Sequence, residues 1–309
     1  MTTTFVAKQI EVSIQLANNP QTNQPAQFAE TGGDTLTTSD KRVSVRIQNS
    51  GAPSSSAAQV MIFGLSSSVM NQLSTLGMVL NLVPRNTLTI KAGDVGGALS
   101  AVFSGTIVNA YADLNAAPDV PFILTCQSGL ADATMNVPPT TFNGSTPVST
   151  VMSGLARQMN VGFENNGVDS TLSNPYYRGS LTQQMRQCAK DAGINAEIVN
   201  GNVLAIWPKF GSRDTQNIPL IAAPPDGGMI GFPSFTQQGI LVRNIFNPNI
   251  SFGGKVQVQT SEEAVQKANG TWTVYKLDMA LDAQLPHGKW EMAAYCYNAN
   301  SPNPVLPPP

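Results

Sequence analysis

The sequence predicts a mainly β protein interrupted by one compact α+β segment, and three observations carry that prediction. Polar and apolar residues alternate along residues 9–16 and again through Val43, Val45 and Ile47, the period of a half-buried strand. Most other apolar runs are short and are separated by Gly, Pro and Asn turns, not by helical periods. Between Pro147 and Ile206, by contrast, two amphipathic stretches lead into Asn200-Gly201, a pattern that predicts helix, helix and hairpin.

In the first strand Ile10, Val12, Ile14 and Leu16 form one face, and Gln9, Glu11, Ser13 and Gln15 the other. Residues 18–40 and 49–58, rich in small and polar residues, read as loops. The run 60–63 is apolar, and Ser66 then caps a helix carrying Val69, Leu73 and Leu76 that Gly77 stops. Strands follow at 87–91, 101–111 and 120–126, so this region is expected to be a small barrel or sandwich.

In the middle segment Thr146 is expected to cap a helix with Pro147 at its first position, and Val148, Val151, Met152, Leu155 and Met159 form its apolar stripe. Ser180 caps the second helix, which ends at Gly193. From Pro208 strands and turns return: a glycine-flanked Phe232-Pro233, the run 240–246, the turn Asn247-Pro248-Asn249, and a strand at Val256 and Val258. Two more strands are expected at 272–281 and 290–297. The Pro-rich residues 300–309 read as extended or disordered.

Charged residues make up 12% of the 309, about half the globular average of roughly 25%. With 17 basic and 19 acidic residues there is no polycationic patch to neutralise phosphates, which argues against sequence-specific nucleic-acid binding. A surface this poor in charge fits a chain largely covered in an assembly. Cys126, Cys188 and Cys296, odd in number and widely spaced, are expected to be buried free thiols in a reducing compartment. Lys8 and Glu11 interrupt what a signal peptide would need as an apolar core, and no run approaches the ~18 apolar residues of a membrane helix.

The chemistry-bearing residues assemble no catalytic set. His287 is the single histidine and lies in the turn sequence Leu285-Pro286-His287-Gly288. Gly254-Lys255 lacks the Ser or Thr and the leading Gly of a phosphate loop. Asp278 and Asp282 fall in a strand pattern, which reads as solvated surface. Asn143-Gly144-Ser145 and Asn269-Gly270-Thr271 read as turns. Trp207, Trp272 and Trp290 lie inside strand patterns as core, which weighs against a carbohydrate-binding β module. A cell-wall hydrolase would have to use Glu262, Glu263 and Asp278. Catalytic, cofactor and metal residues are expected to be none.

Four stretches resemble the baseplate hub proteins of contractile-tailed bacteriophages, which are related to the hub domain of type VI secretion spike proteins. They are residues 60–65 entering the first helix; Ile90-Lys91-Ala92-Gly93-Asp94 followed by residues 102–107 with Gly105; the helix-helix-hairpin unit; and Gly231-Phe232-Pro233 with Gly239-Ile240 and Asn247-Pro248. Gly288-Lys289-Trp290 resembles the closing strand.

The resemblance implies two tail-tube-like β-barrel domains plus a small α+β insert. Residues 1–125 would form the first barrel, and 126–145 with 207–260 the second. Residues 146–206 would be the insert, 261–299 the strands completing the barrel region, and 300–309 a tail. It further implies a homotrimer forming a pseudo-six-fold ring in the virion, assembled in the host cytoplasm. The ring would contact the central spike protein, the tail tube or tube-initiator protein and baseplate wedge proteins. Tape-measure protein and DNA would pass through it without sequence-specific binding. Assembly-critical backbone is then expected at Gly93, Gly105, Gly231, Phe232, Pro233, Gly239, Asn247 and Pro248, and channel lining at Gln9, Glu11, Ser13 and Gln15.

Overall fold

A computed structural model describes residues 6–18, 24, 26–51, 55–75, 86–134, 137–213 and 217–298. Strand makes up 45% against 16% helix, so the chain is mainly β as expected. It divides into two compact units: Met1–Gln48 with Ser56–Ser128 and Met279–Trp290, and Asn49–Ser55 with Gly129–Asp278 and Glu291–Pro309.

The first unit contains β1 (Lys8–Gln15), β2 (Thr35–Thr38), β3 (Val43–Asn49), β4 (Ala57–Phe63), α1 (Ser67–Leu73), β5 (Thr87–Asp94), β6 (Ser100–Ala112) and β7 (Pro121–Gln127). Every pairing among these strands is antiparallel, in the order β2-β1-β5-β6-β7-β4-β3. Register follows the alternation in the sequence: Ile14 lies opposite Leu88, Val12 opposite Ile90, and Ile90 opposite Phe103. These residues and Phe122, Leu124, Val60, Ile62, Val43 and Val45 are all buried. A one-residue slip would turn that whole set to the other face, so the pattern fixes the pairing.

Ser66 caps α1 as predicted, accepting from the Val69 N–H at 3.2 Å. The helix ends at Leu73; the predicted stop at Gly77, like the tail 300–309, lies outside the described residues. β2 sits inside the stretch expected to be loop. Its Thr-Leu-Thr-Thr sequence is too short to announce a strand, and it exists because Ser13 and its neighbours give it a partner. Register shifts opposite Ile90/Lys91 and at Ile107/Asn109 each insert an extra residue into β6, Val102 and Val108. No closed barrel is found: among the described residues the strand path of this unit is open, because four-residue β2 pairs with β1 alone of the named strands.

The segment Met279–Trp290 brings Asp282 into this unit, and here the expectation of solvated surface fails. The Asp282 side chain is 7% exposed. Its Oδ1 accepts from Ser44 Oγ (2.6 Å) and Arg46 Nη1 (2.7 Å), and its Oδ2 from Arg46 Nη2 (3.1 Å) and the Lys289 N–H (2.8 Å). Burial pushes this carboxyl up, but those four donors outweigh it and hold it below the usual range. His287 occupies the expected turn, at φ +57°.

In the second unit α2 (Leu130–Thr134), β8 (Thr140–Thr141), β9 (Ser145–Pro147), α3 (Val148–Gln158), β10 (Gly162–Asn165), β11 (Thr171–Ser173), β12 (Tyr176–Tyr177), α4 (Leu181–Ala192), β13 (Ile194–Val199) and β14 (Val203–Pro208) follow one another. They close a core of Val148, Val151, Met152 and Leu155 against Leu181, Met185, Cys188, Leu204 and Ile206. Thr146 is not the helix cap: it pairs with Leu172 in the β9–β11 ladder, and Pro147 takes the capping position.

Ser180 and Gln183 form a full capping box on α4, and Gly193 ends it at φ +63°. Asn200 and Gly201, both at positive φ, make the predicted hairpin turn between β13 and β14. β10 adds to β14 in parallel, a pairing across 40 residues that no local pattern reveals. Gln184 is fully buried; it accepts from the Thr140 N–H and donates to the carbonyls of Pro138 and Gly179.

The remaining strands are β15 (Leu220–Ala222), β16 (Ser234–Phe235), β17 (Ile240–Ile245), β18 (Lys255–Gln259), β19 (Gly270–Ala283) and β20 (Trp290–Tyr297). β15 runs parallel to β18, β18 antiparallel to β19, and β16-β17-β20 form an antiparallel set. Trp207 and Trp272 are buried as expected, whereas Trp290 is half-buried. Arg213 binds Glu164 of β10 through two hydrogen bonds (3.0 and 2.7 Å) while its backbone N–H donates to Gly253 at 2.7 Å, so the loop after β14 is held at both ends of one residue.

Candidate functional site

Two surfaces collect the residues singled out in the sequence. In the first unit Gln9, Glu11, Ser13 and Gln15 project from one face of β1, opposite the buried Ile10, Val12 and Ile14. The pairing extends this face across neighbouring strands: Thr37 on β2, Thr89 and Lys91 on β5, and Ser104 on β6. Ser13 and Thr37 share a hydrogen bond at 3.0 Å, Thr89 and Ser104 one at 3.3 Å, and Gln15 donates to Asp34 at 3.2 Å. The last of these, with the Thr35 hydroxyl, holds the Asp34 carboxyl below its ordinary range.

The charges on these strands are locally cancelled. Glu11 pairs with Lys91 at 2.9 Å, and Lys8 pairs with Asp94. Beside these paired charges, of which the Lys91 side chain is 45% exposed, the face carries hydroxyls and amides. Gly93 stands opposite Gln9; a Cβ there would lie 2.8 Å from the Ala98 carbonyl. At Gly105 a Cβ would meet the Gln127 carbonyl at 2.8 Å. Both glycines therefore permit close backbone approach within the sheet.

The second surface is the edge of β16 and β17. Gly231 is at φ +72° with open space where a Cβ would go; Pro233 is buried, and Phe232 is 63% exposed. Gly239 immediately precedes β17, and a Cβ on it would approach the Cys296 carbonyl to 2.2 Å. Asn247 closes the following turn, its Oδ1 accepting from the Asn249 N–H at 3.0 Å and its carbonyl from Ile250 at 3.1 Å, with Pro248 between. The structure thus brings Gly231, Phe232, Pro233 and Gly239 to one edge, and places Asn247-Pro248 at the far end of β17.

Sequence reasoning missed Thr37, Thr89, Lys91 and Ser104, whose membership of the polar face depends on pairings 15 or more residues apart. Among the described residues no group of three or more His, Cys, Asp or Glu is placed to hold a metal ion. Asp278 is paired with Lys276 at 3.3 Å, and Glu262 and Glu263 are exposed. No helix of the described residues is long and apolar enough to cross a membrane.

This architecture is the one found in tail proteins of bacteriophages and prophages. The 43 kDa tail protein of prophage MuSo2 from Shewanella oneidensis superposes with a TM-score of 0.58 at 9% identity, over 94% of this chain and 97% of that one. A tail protein from Neisseria meningitidis MC58 gives 0.60 at 10% identity, over 94% and 96%. An Escherichia coli component of the type VI secretion system, similar in structure to the T4 tail proteins gp27 and gp5, gives 0.51 at 8% identity, over 84% and 74%. At such identities the likeness is one of fold. Among curated proteins none matches the chain in sequence. The sequence profile of the family "Baseplate hub gp41" does match, over residues 25–285, and this chain belongs to that family. It is accordingly a structural protein of the phage tail baseplate.

Proposed function

We propose that the chain is the non-enzymatic hub of the baseplate. Three copies form a pseudo-six-fold ring that joins the tail tube to the central spike and is bordered by wedge proteins. The ring lines the channel through which tape-measure protein and DNA pass. In this reading each unit contributes a tube-like sheet. The free edge at β2, which pairs with β1 alone of the named strands, leaves closure there to neighbouring copies.

The observation that carries the channel assignment is the face of Gln9, Glu11, Ser13 and Gln15. A wall bearing unpaired lysines would bind DNA by counterion release, and a strongly acidic one would repel it. Here Lys91 and Lys8 are each neutralised by a carboxylate, so a polyanion meets hydroxyls, amides and charges already cancelled in pairs. Assembly takes place in the host cytoplasm before incorporation into the virion. Single cysteines at Ser13 and at surface positions of the other unit, probed with a bulky maleimide on intact tails, test this. Ser13→Cys is expected to be shielded in assembled tails and labelled in the free chain; equal labelling in both would overturn the channel assignment.

A further inference from the structure

The edge of β16 is built out of register. Met229 bridges Asn244 and Ser234 pairs with Leu241, so five steps along the edge, from 229 to 234, span three along β17, from 241 to 244. The two surplus residues loop out around Gly231-Phe232-Pro233. Gly231 supplies the left-handed backbone, buried Pro233 anchors the loop from within, and Phe232 points outward with 63% of its surface exposed. Both flanks are pinned: Ile230 N–H donates to Arg243 O at 2.8 Å, Ile245 N–H to Gly228 O at 2.7 Å, and Thr236 N–H to Gly239 O at 2.8 Å. A bulge of this kind obstructs addition of a further strand. What the edge presents is an aromatic side chain on a fixed support.

From 227 to 242 the chain carries no charged residue. Free edges are ordinarily guarded by charge, so an uncharged edge with an exposed Phe232 and Phe235 marks a surface that another protein covers. A receiving surface lies on the outer side of α3. There a hollow of about 500 Å³ is lined by Phe142, Thr150, Ser153, Gly154, Arg157 and Gln158. Gly154 sits in mid-helix, where it costs roughly 0.5–1 kcal/mol relative to Ala. A Cβ there would meet nothing of its own chain within 4 Å, so packing within the chain does not call for glycine. Arg157 leaves a guanidinium at the rim with no ion pair among the described residues, and a cation beside an apolar hollow complements an aromatic ring.

We propose that Phe232 of one copy seats in the α3 hollow of a second copy. Knob and hollow are different patches of one chain, so the contact is head-to-tail, the type that closes into rings. The inference rests on the hub reading and adds to it the side chains through which copies engage.

The test uses full-length chain in assembled tails carrying Ser234→Cys beside the knob and Ser153→Cys at the hollow, treated with a short bis-maleimide. The native cysteines Cys126, Cys188 and Cys296 are buried and give little background. Cross-linked dimers and trimers are expected only when both new cysteines are present, and are expected to disappear with Phe232→Ala. Tails that contain the chain yet yield no cross-links would overturn the contact and leave the hub reading standing; absence of the chain from tails would overturn both. As a second arm, Gly154→Leu places a side chain in the hollow from a position where an added Cβ meets no atom within 4 Å. It is expected to leave the isolated chain folded while lowering tail yield at least tenfold, and a normal yield would overturn the proposal.

Discussion

Replacing Asp282 by Asn changes one atom and dismantles a buried network. The carboxylate accepts four hydrogen bonds, two on each oxygen, from Ser44, Arg46 and Lys289. An amide keeps one acceptor. If it stays with Ser44 and Arg46 Nη1, the amide N–H groups face Arg46 Nη2 and the Lys289 N–H, so two bonds are lost and donors oppose donors. Breaking a buried ion pair by removing one partner costs about 3–5 kcal/mol. The Arg46 side chain is 39% exposed and can turn to water, which brings the expected loss to about 2–3 kcal/mol. For a chain of this size that lowers the melting transition by roughly 3–5 °C.

The pH dependence carries a sign. The folded carboxyl lies below its ordinary value, so its contribution is present above the unfolded pKa and fades as pH falls through the folded one. The gap between wild type and variant should therefore be constant near neutrality and narrow below about pH 4. Differential scanning calorimetry from pH 7 to pH 3 measures both. A variant melting within about 1 °C of wild type at pH 7, or a gap that widens in acid, would refute the reasoning.

Gly239→Val should cost more than about 3 kcal/mol, since its Cβ meets the Cys296 carbonyl at 2.2 Å and that backbone is fixed in β20; Gly231→Ala should cost only the left-handed penalty of about 1–2 kcal/mol. Urea midpoints compare them, and equal losses would contradict the assignment. Burial pushes the Cys126 thiol up to about 12 and Cys188 to about 11, and raises Cys296 further; the native chain should therefore show no thiol reactive toward Ellman's reagent until it unfolds. Gln184→Ala leaves the Thr140 N–H and the Pro138 and Gly179 carbonyls without their side-chain partner, an expected loss of about 2–3 kcal/mol by denaturant titration. Glu11→Gln leaves Lys91 without its carboxylate partner at a cost in stability below about 1 kcal/mol; tails of normal number whose DNA ejection is slower are the expected phenotype, and unchanged ejection would count against a channel position.

What the sequence made legible was whatever is decided within a few residues. The alternation of 9–16 fixed both β1 and its buried face, Ser180 and Gly193 announced the ends of α4, and Asn200-Gly201 announced its hairpin. What it hid depends on distant partners. β2 is a strand only beside β1, β10 only beside β14, and Asp282 looked solvated because Arg46, 236 residues away, is invisible to any local pattern. Thr146 looked like a cap because its competing partner, Leu172, lies beyond the helix it precedes. The candidate surfaces divide in the same way. Gly239 and Gly93 were singled out through the family resemblance, whereas their close approach to neighbouring backbone and the extension of the polar face onto Thr89, Lys91 and Ser104 required the structure.

The central claim is that this chain forms the ring through which the tail's contents pass. A cryo-EM reconstruction of the intact tail at side-chain resolution tests it most directly. The account predicts three copies around the tail axis between tube and spike, with Gln9, Glu11, Ser13 and Gln15 facing the lumen. Copies placed outside the axis, or that face of β1 turned away from the channel, would contradict it.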